Sequence, residues 1–120
     1  MKTLLHIDDD FQDILKPIGR MLRREGYDVS SQTNPDIAAH IINAGFLPSV
    51  IILDGDLGEH GTGREFYETL VPELQERVVF FTGELEFDGA GRPVVSKGEG
   101  FEALLAAIRG VTEALERDAA

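Results

Sequence analysis

The sequence predicts an α/β domain, with a parallel sheet covered by helices on both faces. Three observations carry that expectation. Residues 50–53 and 78–81 are uninterrupted apolar runs of strand length, the pattern of strands buried on both sides. Segments with apolar residues at helical spacing stand between the strand-like runs, and repeated β-then-α units of this size imply parallel pairing. The length of 120 residues suits one domain, residues 1–120, able to bury roughly two-thirds of its unfolded surface without a disulfide.

Taken in order, Thr3 to Ile7 is a short apolar run that ends abruptly in Asp8, Asp9 and Asp10. Phe11, Ile14, Leu15, Ile18, Met21 and Leu22 then keep helical spacing, although Pro17 and Gly19 weaken the helix locally and leave its stability to packing. Residues 27–30 read as a weak strand. Asn34, Pro35 and Asp36 form a strong helix start: a capping side chain, proline in the first turn, and an acid near the positive end of the helix dipole. Gly45 is expected to end that helix. After the strand at 50–53, Thr62 and Glu65 have capping-box spacing ahead of Phe66 and Leu70. Val94 and Val95 make a short fifth strand, and Phe101, Leu104, Leu105, Ile108, Val111 and Leu115 mark a long amphipathic C-terminal helix. Residues 83–93 contain three glycines and read as a loop where the α/β pattern calls for a helix.

Composition excludes several functions. There are no cysteines, so thiolate metal sites, thiol catalysis and a disulfide framework are out; this fits a reducing compartment. No apolar run is long enough to span a membrane and no secretory signal pattern is present, so a cytoplasmic protein without membrane attachment is expected. With 22 acidic against 11 basic residues, the formal net charge of −11 argues against nucleic-acid binding, which needs clustered Lys and Arg.

Sites in parallel α/β sheets form beyond the carboxyl ends of the strands. Those ends carry Asp8 and Asp9, Asp54 and Asp56, Thr82, and Lys97. Carboxylates gathered at one rim repel, by about 4 kcal/mol per pair at 4 Å and an effective dielectric of 20. A hard, oxygen-seeking cation relieves this, and Mg²⁺ characteristically uses one or two carboxylates with waters and phosphate. Each residue also has a plainer reading: Asp9 or Asp10 as a helix cap, Asp54-Gly55-Asp56 as a turn, Thr82 as a strand end, Lys97 as a surface lysine beside Glu99. Of the first three, Asp10 is the better cap and Asp9 the better ligand. His6, His40 and His60 have no metal-ligand spacing and are assigned no chemistry.

Over nearly its full length the chain resembles a response-regulator receiver domain of two-component signalling. The matching stretches are Leu-Leu-His-Ile-Asp8-Asp9-Asp10, Ile-Ile-Leu-Asp54-Gly-Asp56, Val-Val-Phe-Phe-Thr82-Gly83 and Val-Val-Ser-Lys97. The resemblance implies a flavodoxin-like, doubly wound, five-stranded parallel sheet in the order 2-1-3-4-5. It implies that Asp54 is the phosphoacceptor for a sensor histidine kinase or phosphotransfer protein. Asp8, Asp9, Asp54 and the backbone carbonyl of Asp56 would hold Mg²⁺, while Thr82 and Lys97 would contact phosphoryl oxygens. Slow autodephosphorylation, and a switched interaction with a downstream protein, are implied as well. No DNA-binding segment follows the last helix, so the chain reads as a stand-alone receiver or one excised from a larger protein.

Four departures bear on output. Gly98 follows Lys97 where the family has a cis proline; a cis bond without proline costs about 2.5–4 kcal/mol, so a trans bond or a remodelled loop is expected. Val94 stands at the usual aromatic switch position. Residues 83–93 replace the family's fourth helix, as in a subset of receivers, and this stretch is expected to order when Asp54 is phosphorylated. Gly58 stands where many receivers have proline, and reads as added flexibility. Asp56 and Glu84 border the expected path of attacking water. Two other functions compete: a phosphorylation-independent interaction module, and a haloacid-dehalogenase-type phosphatase, whose Asp-Gly-Asp-Leu nucleophile motif would here lie on the wrong strand.

Overall fold

Opposite faces of the same strands are apolar, so the sheet needs a cover on each side, and the computed structural model provides two. It describes residues 2–119; Met1 and Ala120, the ends of the domain read from the sequence, lie outside the described residues. In chain order the elements are β1 (Thr3–Ile7), α1 (Lys16–Arg24), β2 (Asp28–Gln32), α2 (Pro35–Asn43), β3 (Val50–Leu53), α3 (Gly63–Thr69), the single turn α4 (Pro72–Gln75), β4 (Val78–Thr82), β5 (Val94–Ser96) and α5 (Phe101–Ala119). The strands form one sheet in the order β2-β1-β3-β4-β5, every pair parallel. This is the flavodoxin-like order expected from the sequence.

Alternation along the strands divides the core. Leu4, Val50, Ile52, Val79, Phe81 and Val95 face α1 and α5, where Leu22, Leu104, Ile108 and Val111 bury against them. Leu5, Ile7, Ile51, Leu53, Val78 and Phe80 face the other way, against Ala38 of α2, Phe66 of α3 and Leu74 of α4. Phe80 is fully buried; truncating such a ring to alanine costs about 3–5 kcal/mol.

Two helix starts follow the capping chemistry read from the sequence. The Asn34 side chain accepts the Asp36 N–H at 2.9 Å, and Thr62 and Glu65 bond each other's backbone N–H at 3.1 and 3.0 Å. The first helix departs from expectation. Phe11–Leu15 forms a π-helical turn, in which the Leu15 N–H reaches the Asp10 carbonyl, before α1 begins at Lys16. Pro17 explains it: proline has no N–H for the preceding turn and its ring crowds that turn's carbonyl, so the backbone widens there. Pro72 acts in the same way at the end of α3, which stops at Thr69, and it then starts α4.

No helix forms between β4 and β5. Residues 83–93 are irregular but anchored. Phe87 packs on Phe80 with ring centroids 4.7 Å apart. The Arg64 guanidinium donates to the Asp88 carbonyl at 3.0 Å and pairs with its carboxylate at 3.3 Å. Arg92 donates to the carbonyls of Val78 and Glu76, at 3.1 and 2.6 Å.

Candidate phosphoacceptor and metal site

Strand register assembles the rim. Ile7 pairs with Leu53, so Asp8 and Asp54, one residue further on, leave the sheet side by side. Thr82 pairs with Ser96, and Lys97 follows on the neighbouring strand. Backbone bonds hold both acids at the sheet edge: Asp8 N–H donates to the Gln32 carbonyl at 3.2 Å, and Asp54 N–H to the Ile7 carbonyl at 3.0 Å. The Gly63 N–H donates to the Gly55 carbonyl at 2.9 Å, tying the loop after β3 to the start of α3.

The side chains converge as the sequence implied. Asp8, Asp9 and Asp54 each bring a carboxylate oxygen within 4.8 Å of the others. Asp8 and Asp54 are buried, while Asp9 is exposed. Lys97 Nζ lies between the two buried acids, 2.9 Å from Asp54 Oδ2 and 2.8 Å from Asp8 Oδ2. Toward Asp54 it donates a hydrogen bond; toward Asp8 the approach is out of line, which leaves Asp8 Oδ2 with a charge partner but no donor. Asp9, Asp54, Asp56, Thr82, Gly83, Glu84 and Lys97 line a cavity of about 340 Å³. Thr82 is fully buried, and its Oγ1 accepts the Glu84 N–H at 3.2 Å.

The division of labour among the first three acids is visible. Asp10 caps the first helix, accepting the Asp13 N–H at 3.0 Å. Asp8 Oδ1 accepts the Asp10 N–H at 2.9 Å, which leaves Asp9 free of capping duty. Asp56 Oδ1 accepts the Gly58 N–H at 2.9 Å. Burial pushes the Asp8 carboxyl up to about 6, against the pull of Lys97. Burial also works against the Lys97 ammonium, but the two carboxylates of Asp8 and Asp54 beside it outweigh that and hold its pKa above the ordinary lysine value.

Two expectations about the loops meet different outcomes. The peptide bonds of the described residues are all trans, and Lys97–Glu99 forms a short 3₁₀ turn in which Ser96 Oγ accepts the Gly98 N–H and Glu99 accepts the Ser96 N–H. The remodelled loop removes the need for a cis bond. Gly58, by contrast, meets a backbone requirement beyond the added flexibility read from the sequence. Its φ is +63°, and a Cβ would stand 2.7 Å from Asp9 Oδ2, so glycine both satisfies a left-handed turn and makes room for Asp9.

The site residues that sequence reasoning passed over lie beside the rim. His6 is fully buried on β1, and neither ring nitrogen has a hydrogen-bond partner. Burial, assisted by the Lys97 charge, pushes its pKa down to about 3, so the ring is neutral. Phe87 is the other; a lone aromatic within a glycine-rich stretch was the available signal.

The sequence matches no family model and no curated protein. Solved structures match over nearly the whole chain. The N-terminal domain of a response regulator/sensory box/GGDEF protein from Carboxydothermus hydrogenoformans superimposes with a TM-score of 0.85 at 23% identity, covering 99% of this chain and all of that one. A CheY-like response regulator receiver domain protein from Methanospirillum hungatei gives 0.85 at 21% identity, covering 98% of each chain. The response regulator TrrA of Thermotoga maritima, in complex with Mg²⁺-BeF, gives 0.80 at 20% identity, covering 92% of this chain and 99% of that one.

The chain has the receiver-domain fold.

At these identities the likeness is one of architecture. Within the receiver fold, the rim built from Asp8, Asp9, Asp54, Thr82 and Lys97 occupies the carboxyl ends of four strands, where an α/β sheet places its site. The receiver's helix between β4 and β5 is replaced by the anchored segment at residues 83–93. Among the described residues, no helix is long and apolar enough to cross a membrane.

Proposed function

We propose that this chain, as one receiver domain over residues 1–120, takes a phosphoryl group onto Asp54 from the phosphohistidine of a cytoplasmic sensor histidine kinase or phosphotransfer protein. The modified domain then changes its interaction with a downstream protein. The observation that carries this reading is the placement of Asp54. It is a buried carboxylate opening on a polar cavity, with an ammonium 2.9 Å from Oδ2 and two further carboxylates within 4.8 Å.

Asp54 attacks phosphorus through a carboxylate oxygen. The P–N bond to the donor imidazole breaks, its electron pair stays on the ring nitrogen, and an acyl phosphate forms. Lys97 then pairs with a phosphoryl oxygen and Thr82 donates its hydroxyl to another. Slow hydrolysis follows when water attacks the same phosphorus, past Asp56 and Glu84.

The residues present fit a hard divalent cation: three carboxylates at ligand spacing, one of them with a buried oxygen that no hydrogen bond satisfies. Asp8, Asp9 and Asp54 would hold Mg²⁺, with the Asp56 backbone carbonyl, since the Asp56 side chain is engaged by Gly58. When bound, the ion neutralises charge on the transferring group. The ion of the Thermotoga complex supports this choice.

Incubation with Mg²⁺ and acetyl phosphate tests the reading. One acid-stable, base-labile phosphate should appear and be absent from Asp54→Ala. No adduct would favour the phosphorylation-independent interaction module, and rapid turnover of phosphomonoesters would favour a phosphatase.

A further inference from the structure

In most receivers an aromatic on β5 reports the state of the acceptor. Here that place is held by Val94, which has no ring and is 41% exposed. Another aromatic reaches the acceptor loop from a different direction. Phe87 comes off the segment between β4 and β5, packs at a tilt against Phe80 and lies over Gly55, the residue between Asp54 and Asp56. A Cβ on Gly55 would stand 2.5 and 2.7 Å from two carbons of the Phe87 ring, distances that real Cβ atoms do not adopt. The ring therefore occupies the space that a side chain at position 55 would fill. Gly55 is not among the glycines with positive φ, so the chain uses its missing side chain and not its backbone freedom.

The same space is shared with a charge. Glu84 Oε1 would be 3.0 Å from that Cβ, and Glu84 also lines the cavity above Asp54. Its backbone N–H is held by Thr82 Oγ1. Beyond Phe87, Arg64 fixes Asp88 and Arg92 fixes the return to β5. The stretch from Glu84 to Phe87 is thus tethered at both ends, with its acid facing the cavity and its ring seated on the acceptor loop.

We propose that Phe87 is the aromatic reporter of Asp54 occupancy in this chain, displaced from its seat on Gly55 when a phosphoryl group or its mimic enters the cavity. The inference rests on the phosphoacceptor reading above. A phosphoryl anion repels the Glu84 carboxylate only when it is present, which supplies the differential interaction that a switch requires. Glu84 and Phe87 abut the same α-carbon, so movement of the acid disturbs the ring. The surface changed by that movement includes Leu85, which is 98% exposed, and the face of Phe80 that Phe87 covers.

The chain contains no tryptophan, so Phe87→Trp gives a single fluorophore at the seat. Mg²⁺ with beryllofluoride serves as the phosphoryl mimic, and a rise in melting temperature reports its binding independently. The expected result is a red shift of emission on mimic binding, abolished by Glu84→Gln at mimic concentrations where the melting temperature of that variant shows the site to be occupied. Adding Gly55→Ala should produce the red shift without any mimic. Mimic binding with unchanged emission overturns the reporter role and leaves the phosphoacceptor reading standing. Failure of the mimic to raise the melting temperature overturns both. A shift that survives Glu84→Gln, or Gly55→Ala without effect, overturns the coupling through Glu84 and the Gly55 seat. If Phe87→Trp does not fold, the ring carbon resonances of Phe87 in the unsubstituted, phenylalanine-labelled protein are read against the same outcomes.

Discussion

The Lys97 ammonium stands 2.8 Å from Oδ2 of Asp8, an oxygen that no hydrogen bond in the protein satisfies. It also bonds Asp54, so one flexible cation holds together two buried acids from adjacent strands. The pairing is a compromise: burial drives the Asp8 carboxyl toward protonation while Lys97 opposes it. Any divalent ion that enters competes with the lysine for the same oxygens, and a lysine released from them is free to meet a phosphoryl group. On the phosphoacceptor reading proposed above, Lys97 therefore has one role before phosphorylation and a different one after it.

Replacing Lys97 with methionine keeps the stem and removes the charge. Leaving buried carboxylates without their charged partner costs about 3–5 kcal/mol, so Lys97→Met should melt at a lower temperature without metal. Mg²⁺ should recover more of that loss than it adds to the parent, because no ammonium competes for Asp8 and Asp54. Thermal unfolding of both proteins with and without MgCl₂ checks this; equal Mg²⁺ gains would contradict it. Phosphate incorporation should nevertheless fall, since the transferring group loses a partner.

Asp9 is the exposed member of the three acids and makes no capping bond. Asp9→Asn should leave the metal-free stability within about 0.5 kcal/mol of the parent, as for most surface substitutions. It should sharply reduce the rise in melting temperature that Mg²⁺ produces. A variant with an undiminished Mg²⁺ effect would remove Asp9 from the ligand set.

Metal binding should also depend on pH through Asp8. Its carboxyl is pushed up to about 6 by burial, so a proton competes with the ion below that value. The gain in melting temperature from Mg²⁺ is expected to be small well below pH 6 and complete well above it. A gain that is flat across this range would show that Asp8 is not a ligand.

How much of the molecule is legible in its sequence follows the range of the interactions. Caps at Asn34 and Thr62 depend on residues two or three positions apart, and the sequence displays them directly. The rim was legible because strand ends concentrate chemistry at one edge, so Asp8, Asp54, Thr82 and Lys97 needed only the topology to meet. The Phe87 seat was not, since its partner Gly55 lies on another strand's loop and a glycine advertises nothing about what rests on it. The π-helical turn at Phe11–Leu15 was half legible. Pro17 marked the disturbance, but proline allows a kink, a break or a widened turn, and packing of Leu15 and Leu22 into the core selects among them.

The clasp at residues 83–93 can be loosened without touching Asp54. Arg92 bonds the carbonyls of Val78 and Glu76 and is half-buried, so Arg92→Ala removes two donors at once. A loss of about 1–2 kcal/mol is expected, near the net value of two hydrogen bonds. Amide exchange should accelerate within residues 83–93 more than in β3. Uniform acceleration across the sheet would mean that the segment unfolds only with the whole domain.

His6 supplies the clearest pH dependence of stability. Its pKa falls from 6.5 to about 3 on folding, chiefly through burial, so between those values the unfolded chain binds a proton that the folded chain does not. Stability from this group is complete above pH 6.5 and declines as pH falls toward 3, by about 1.4 kcal/mol per pH unit. Asp8 works in the opposite sense. Its folded pKa of about 6 lies above its ordinary 3.8, so acid favours the folded form across that interval and masks part of the histidine's effect. The His6→Leu variant separates the two. Leucine fills a comparable volume against Phe81 without an unbonded ring nitrogen, so stability at neutral pH should hold or rise. In denaturant melts, the difference between variant and parent should widen steadily below pH 6.5, because the Asp8 contribution is common to both. If the two proteins instead lose stability in parallel, His6 is protonated in the folded state and its environment is more polar than the structure describes.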